Sequence, residues 1–115
     1  MEIKTMSRDF TKAEKYMMTL DNNAISVKDI EDGTVINVDG YLEYDDINSK
    51  GEEVHILSII TPDKTVYSTQ SVTFKRSFLA MYDMLDGKFS CIKSSGTTKA
   101  GRPYIDCTLD KNSVQ

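Results

Sequence analysis

The sequence has little of what most catalytic and metal-binding sites require. It contains one histidine and two cysteines in 115 residues. The single imidazole, His55, would have to serve alone, which excludes most histidine-based metal sites and catalytic triads. Cys91 and Cys107 are too few for a disulfide scaffold and do not form a close metal-ligand pair. No glycine-rich loop followed by Lys-Ser or Lys-Thr is present, so there is no P-loop. We therefore expect no enzyme activity, metal or cofactor.

Long apolar runs are also absent. No stretch approaches the roughly 20 apolar residues that cross a bilayer, and the charged start Met1–Arg8 lacks the apolar region of a signal peptide. The composition, 39% hydrophobic and 28% charged, is typical of globular proteins. A chain of 115 residues forms one domain. We expect a single-domain cytoplasmic protein that does not span a membrane.

The charge is unevenly distributed along the chain. The formal net charge is −4, and residues 21–46 carry eight acidic residues against Lys28 alone. In contrast, residues 87–105 carry four basic residues and no acidic one. A chain that is acidic overall can still present one basic groove, so the net charge does not exclude nucleic acid as a partner.

The pattern predicts two helices and five strands. The capping-box spacing from Thr11 to Glu14 begins a short helix over Thr11–Leu20, and apolar residues at helical spacing predict a second helix over Ser71–Leu85. Alternating or apolar runs predict the strands Val35–Tyr44 (with a bulge or bend at Gly40), Val54–Ile60, Thr65–Thr69, Phe89–Ser95 and Tyr104–Leu109. A single helix between the third and fourth of five strands is the order of the OB-fold barrel. We therefore predict a mainly β domain, with the barrel over residues 33–110 and an N-terminal extension carrying the short helix over residues 1–30.

The last hairpin allows a register to be predicted. If the loop Thr97–Gly101 is centred on Lys99, Cys91 lies opposite Cys107 on the core side, and both act as buried, reduced thiols. The same register turns the side chain of Tyr104 outward, beside the basic loop.

Six tyrosines and no tryptophan are unusual in a small β-rich chain. An outward tyrosine offers a flat ring on which a nucleobase stacks, worth about 1–3 kcal/mol per base; the alternative is ordinary packing on sheet faces. Tyr16 and Tyr82 lie on helices, and we assign them to packing. Strict alternation exposes Tyr41. Tyr44 shares the parity of the core residues, and one bulge near Gly40 or Glu43 would turn it outward.

Acidic residues flank the turn between the first two predicted strands. Asp45, Asp46, Glu52 and Glu53 could be considered as a two-metal nuclease site, but such sites need carboxylates converging from several elements. We interpret them as a solvated turn.

Several short segments resemble one family of proteins. They are Asp32–Ile36, Tyr44, Ile59–Ser68 and Ser95–Gly101. Together they cover about residues 30–109 in order, and they resemble the small single-stranded-DNA-binding proteins of tailed bacteriophages, including the type used in protein-primed replication. The resemblance implies an OB-fold that coats the displaced strand and stacks bases on Tyr44 and Tyr67. Residues 1–30 match this type poorly and are candidates for self-association or contact with another phage replication protein.

We therefore expect a single-stranded-DNA-binding protein acting in phage DNA replication, in the cytoplasm of the host cell. Tyr44 and Tyr67 would stack bases, with Tyr41 and Tyr104 as further candidates. The residues expected to contact phosphates are Lys50, Lys64, Lys93, Lys99 and Arg102. Two rival hypotheses remain open. One is a protein-interaction or DNA-mimic module that uses the acidic segment 21–46, and the other is a small virion or assembly component.

Overall fold

A computed structural model describes residues 1–114 of the chain, in which two α-helices accompany eight strands. The mainly β prediction is confirmed. The elements of the N-terminal half are β1 (Glu2–Met6), α1 (Lys12–Thr19), β2 (Ile25–Ser26), a 3₁₀ turn (Val27–Asp29), β3 (Val35–Asn37) and β4 (Gly40–Ile47). The remaining elements are β5 (Glu53–Ile60), β6 (Val66–Thr69), α2 (Val72–Leu85), β7 (Ser90–Thr97), β8 (Pro103–Leu109) and a 3₁₀ turn (Lys111–Ser113).

The strands form two sheets. The larger has the order β1-β4-β5-β6-β2, and the smaller has the order β3-β7-β8. All neighbouring pairs are antiparallel except β2 and β6. Within residues 1–114 no ladder joins β6 to β8, so the sheets do not close into a barrel. The five-stranded barrel predicted from the sequence is therefore not confirmed as a closed barrel.

The two sheets share one stretch of chain. The predicted strand Val35–Tyr44 is broken into β3 and β4 at Val38 and Asp39, just before the predicted bend at Gly40. The amide of Val38 donates to the carbonyl of Phe89 at 3.3 Å, and that of Asp39 donates to the carbonyl of Ile60 at 3.0 Å. The chain thus leaves one sheet and enters the other between adjacent residues.

Both predicted helices are confirmed, and so is the capping box predicted for the first. The Thr11 hydroxyl accepts from the Glu14 amide at 3.1 Å, and the Glu14 carboxylate accepts from the Thr11 amide at 2.9 Å, which completes the capping box of α1. The Ser71 hydroxyl caps α2 by accepting from the amide of Phe74 at 3.1 Å. The helix ends at Asp86, whose φ of 53° is left-handed.

The first thirty residues contribute more than a helix. Strand β1 pairs with β4 at one edge of the larger sheet, and the two-residue strand β2 pairs with β6 at the other. The side chain of Val27 is fully buried in the main core. Residues 1–30 are therefore packed into the fold, a feature that the sequence pattern did not predict.

The larger sheet is buried on both faces, which explains why strict alternation fails along β4. One face packs against α2 and the smaller sheet through a cluster that includes Tyr41, Phe74 and Phe78. The other face packs against Met18 of α1 through a cluster that includes Tyr44. The prediction that Tyr41 is exposed is wrong, because alternation exposes a residue only when one face of the sheet meets water.

Three hairpin turns have the same geometry. In the β7–β8 turn, the Thr98 amide donates to the Arg102 carbonyl at 2.9 Å, the Gly101 amide donates to the Thr98 carbonyl at 2.9 Å, and Gly101 has a φ of +82°. This is a three-residue loop closed by a left-handed residue. Residues 48–52 and 61–65 repeat it, with left-handed Gly51 and Lys64.

This turn changes the predicted register of the last hairpin. The loop is centred on Ala100, one residue beyond the predicted centre, so Cys91 lies opposite Leu109 and not opposite Cys107. Because the shift in pairing is two residues, every side chain keeps its predicted face. Both thiols are buried and free, and a hydrogen bond with Cys91 together with burial raises the pKa of Cys107.

Neither helix in residues 1–114 is long and apolar enough to cross a membrane.

Candidate functional site

A cleft of about 790 Å³ opens between β6 and β8, where no ladder joins the two sheets. The end of β6 and the start of α2 form one wall, and the β7–β8 hairpin forms the other. The residues that line the cleft are Ser26, Lys28, Ile56, Ser68, Thr69, Gln70, Ser71, Lys93, Ser95, Pro103, Tyr104 and Ile105.

The lining is basic and rich in hydrogen-bonding groups. It includes two lysines and no aspartate or glutamate, although acidic residues outnumber basic ones, 18 to 14, in the whole chain. Seven of its residues carry a side-chain hydroxyl or amide group: Ser26, Ser68, Thr69, Gln70, Ser71, Ser95 and Tyr104. A lining of this kind suits an anionic ligand that also presents hydrogen-bonding groups.

Tyr104 supplies an aromatic surface at this cleft. It lies on the outward side of the hairpin, as predicted, and is 39% exposed. Its direct partner across the ladder is Gly96. A Cβ atom added at Gly96 would lie 2.6 Å from the Tyr104 Cζ atom, so the ring covers the glycine closely. One edge of the ring is thus held against the backbone of β7 while the side chain stays accessible.

Lys93 lines the wall of the cleft, but its ammonium group is paired with other residues of the chain. The residue is only 5% exposed. Its Nζ atom lies 2.8 Å from the Asp32 carboxylate and donates to the Ile30 carbonyl at 2.9 Å. Lys93 and the hydroxyl of Ser95 together hold the pKa of Asp32 below its usual range. The predicted phosphate contact at Lys93 is not favoured, because its ammonium group already has two partners within the chain.

Lys99 and Arg102 lie in the exposed loop that precedes Tyr104. The amide of Arg102 donates to the Thr98 hydroxyl at 3.1 Å, which fixes the backbone of the loop. Neither side chain takes part in an ion pair within residues 1–114. Both charges are therefore available beside the cleft.

The other predicted contacts lie elsewhere. Tyr67 is half-buried on β6 and lines a second cavity of about 210 Å³, not the cleft that holds Tyr104. Lys64 donates to the Glu14 carboxylate at 2.8 Å. Lys50 lies exposed in the β4–β5 turn, outside both cavities.

Tyr41 and Tyr44 are interior residues, with 8% and 6% exposure. The Tyr41 ring packs edge-on against Phe78 and Tyr82, with centroid distances of 5.6 and 4.7 Å. The hydroxyl of Tyr44 donates to the carbonyl of Thr19 at 3.2 Å, and burial raises the pKa of both phenols. Neither ring can receive a base without unpacking the core, so both predicted stacking positions are corrected.

The remaining assignments to packing have mixed outcomes. Tyr82 packs against the core, as predicted. Tyr16 is 56% exposed on α1, so its assignment to packing is wrong.

Sequence reasoning missed much of the cleft. Lys28 stands within the most acidic segment of the chain, and nothing in that segment indicated a basic cleft. The run Ser68–Ser71 lines the wall because it joins β6 to α2. Its dense hydroxyl and amide content was the one available signal.

The chain matches no protein-family model, and no curated protein or solved structure is significantly similar to it.

Proposed function

We propose that this chain is a non-enzymatic single-stranded-DNA-binding protein, and that the strand passes along the cleft between β6 and β8. Base stacking on Tyr104 would supply sequence-independent affinity. Lys28, Lys99 and Arg102 would neutralise phosphates. The observation that carries the proposal is the exposed Tyr104 ring in a cleft whose lining, among residues 1–114, includes Lys28 and no carboxylate.

The arrangement of strands supports an open OB-type barrel as the finer description of the fold. In the larger sheet β5 lies between β6 and β4, and in the smaller sheet β7 lies between β3 and β8. Strand β3 leads directly into β4 and so links the two sheets, and α2 connects β6 to β7. The OB-fold is a partly open five-stranded barrel that binds oligonucleotides beside the loop between its last two strands. In this chain that loop carries Lys99 and Arg102, and the open side of the barrel is the cleft.

Part of the acidic segment is paired within the chain, which weakens the rival DNA-mimic function. Asp32 pairs with Lys93, Asp39 pairs with Arg8, and Asp45 hydrogen-bonds to His55. A surface that imitates the phosphates of DNA needs free carboxylates, and three of the eight acidic side chains of the segment are engaged within the chain.

The biological process proposed for this protein is inferred from the sequence resemblance. A protein of the phage single-stranded-DNA-binding type would coat the displaced strand during genome replication in the host cytoplasm. Exposed residues of the N-terminal region, such as Tyr16 and Leu20, would be available to contact other replication proteins.

The test is a titration of fluorescently labelled oligo-dT, followed by anisotropy at several salt concentrations. We expect binding that weakens with salt and exceeds binding to a duplex. Tyr104→Ala should cost about 1–3 kcal/mol, and Tyr104→Phe should bind like the parent. Tyr16→Ala is the matched control, because Tyr16 is an exposed tyrosine outside the cleft. If the parent ignores oligo-dT, the proposed function is wrong. If Tyr104→Ala binds like the parent, the cleft is not the binding site.

A further inference from the structure

Three potential metal ligands meet at the β4–β5 hairpin. Asp45 lies directly opposite His55 in the ladder. Glu53 precedes His55 by two residues on β5, and because side chains alternate along a strand, both lie on the same face. One ligand atom from each of the three residues lies within 4.8 Å of the other two.

The set combines one imidazole nitrogen with two carboxylate oxygens, and we propose that it binds a divalent cation of the Zn²⁺ type. Zn²⁺ accepts both donor types at about 2.0–2.2 Å and often takes three protein ligands and one water molecule. Mg²⁺ and Ca²⁺ prefer oxygen ligands alone, so an imidazole among three ligands disfavours them.

A cation between His55 and Asp45 requires only a small movement of the imidazole ring. The His55 Nδ1 atom lies 2.7 Å from the Asp45 carboxylate. Two ligands of a tetrahedral ion are about 3.4 Å apart when each bond is about 2.1 Å. His55 has 63% of its side chain exposed, so its ring can move by this amount without displacing core residues. Nδ1 would then hold the cation, and the ring proton would reside on Nε2.

The electrostatic surroundings favour a cation at this position. The Lys4 ammonium lies 3.1 Å from the carboxylate of Glu2 and 3.9 Å from that of Asp45. The hydrogen bond and charge of Glu2, with the charges of Asp45 and Glu53, raise the pKa of Lys4. The carboxylates of Glu2, Asp45 and Glu53 therefore share the Lys4 ammonium group. Lys75 of α2, which packs on the same face of the sheet, is a second ammonium group nearby and donates to the backbone carbonyl of His55 at 3.2 Å.

The experiment uses the histidine as its own probe. His55 is the only histidine in the sequence, so its imidazole NMR signals report on this position alone. ZnCl₂ is titrated into the full chain in a buffer without chelators, and the His55 signals should shift with saturation. MgCl₂ at the same concentrations should leave them unchanged.

Matched variants in the same hairpin test the two carboxylates. Asp45→Asn and Glu53→Gln should each weaken Zn²⁺ binding at least about tenfold, since losing even an outer-shell partner costs about 10–100-fold. The controls are the adjacent changes Asp46→Asn and Glu52→Gln, which alter the same charge outside the cluster and should have little effect. Lys4→Gln keeps all three ligands, removes the competing ammonium group and should tighten binding.

Two results would overturn the proposal. One is a set of His55 signals that do not respond to Zn²⁺. The other is a response that Asp45→Asn and Glu53→Gln leave as strong as in the parent, which would mean that the histidine binds Zn²⁺ alone. If either variant unfolds, the Lys4→Gln result decides, because unchanged or weaker binding in that variant contradicts the shared site.

Discussion

The ring of Tyr104 lies over Gly96, its direct partner across the β7–β8 ladder. A methyl group at position 96 would lie 2.5 Å from the tyrosine hydroxyl oxygen and 2.6 Å from Cζ, closer than real contacts allow. The glycine therefore lets an aromatic side chain lie across the neighbouring strand while remaining 39% exposed. Under the proposed function, Gly96 positions the stacking surface without touching the DNA.

Gly96→Ala should displace the Tyr104 ring and weaken oligo-dT binding by an amount similar to Tyr104→Ala, about 1–3 kcal/mol. The double variant should bind no more weakly than Tyr104→Ala alone, because both changes remove the same interaction. Oligo-dT titrations of the three variants check this. Ser94→Ala, on the same face of β7, is the control. Fully additive losses would mean that Gly96 acts independently of Tyr104.

Tyr41→Ala should destabilise the protein by about 3 kcal/mol or more, since it removes a buried aromatic ring from a packed cluster. The measurement is urea unfolding followed by circular dichroism. Tyr104→Ala is the matched comparison and should change the free energy of unfolding by no more than about 0.5 kcal/mol, as expected for a surface residue. Equal losses of stability in both variants would contradict the division into an interior and a cleft tyrosine.

The double variant Lys99→Ala, Arg102→Ala tests the loop beside the cleft. Each phosphate contact on a single strand contributes about 0.7 to the slope of log K against log salt. Removing both charges should flatten the slope by about 1 to 1.5 units and weaken binding to all sequences alike. The control removes two exposed lysines that do not line the cleft, Lys12 and Lys88. An unchanged slope in the loop variant would remove the loop from the binding surface.

Local signals predicted both helices and the strands from Val35 onward, but not β1 and β2. The capping box at Thr11 and Glu14 and the helical spacing in α2 depend on neighbours in sequence, and both helices formed as predicted. Most of the failed predictions depend on residues that are distant in sequence. Tyr41 is buried because α2 and the second sheet cover its face of β4, and no pattern within the strand indicates that cover. The register of the last hairpin failed for a local reason, since the left-handed turn closing at Gly101 was not recognised.

The candidate site was harder to predict because its lining depends on residues that are distant in sequence. Lys93 falls in the basic segment, yet its charge is taken up by Asp32, 61 positions earlier in the sequence. Lys28 falls in the acidic segment, yet it lines the cleft because β2 pairs with β6. Charge counted along the chain does not indicate which charges remain free after folding. Tyr104 could be predicted because its direction depends only on the hairpin to which it belongs.

A buried carboxylate links the N-terminal region to the rest of the fold and should make stability depend on pH. Glu14 accepts hydrogen bonds from Lys64 at 2.8 Å, from the Thr11 amide at 2.9 Å and from Arg8 at 3.2 Å. These donors lower its pKa from 4.5 to about 2. The unfolded chain therefore binds a proton at a higher pH than the folded chain does.

The stabilisation from ionised Glu14 is complete above its unfolded pKa and is lost as the pH falls from about 4.5 towards 2. Glu14→Gln should therefore be less stable than the parent at neutral pH, and the difference should shrink across this range, because the protonated carboxyl resembles the amide. Urea unfolding of both proteins at a series of pH values measures this difference in the free energy of unfolding. Lys64→Gln removes the largest cause of the shift and should move the loss of stability to higher pH. Parallel pH profiles for the parent and Glu14→Gln would show that this carboxylate does not couple proton binding to folding.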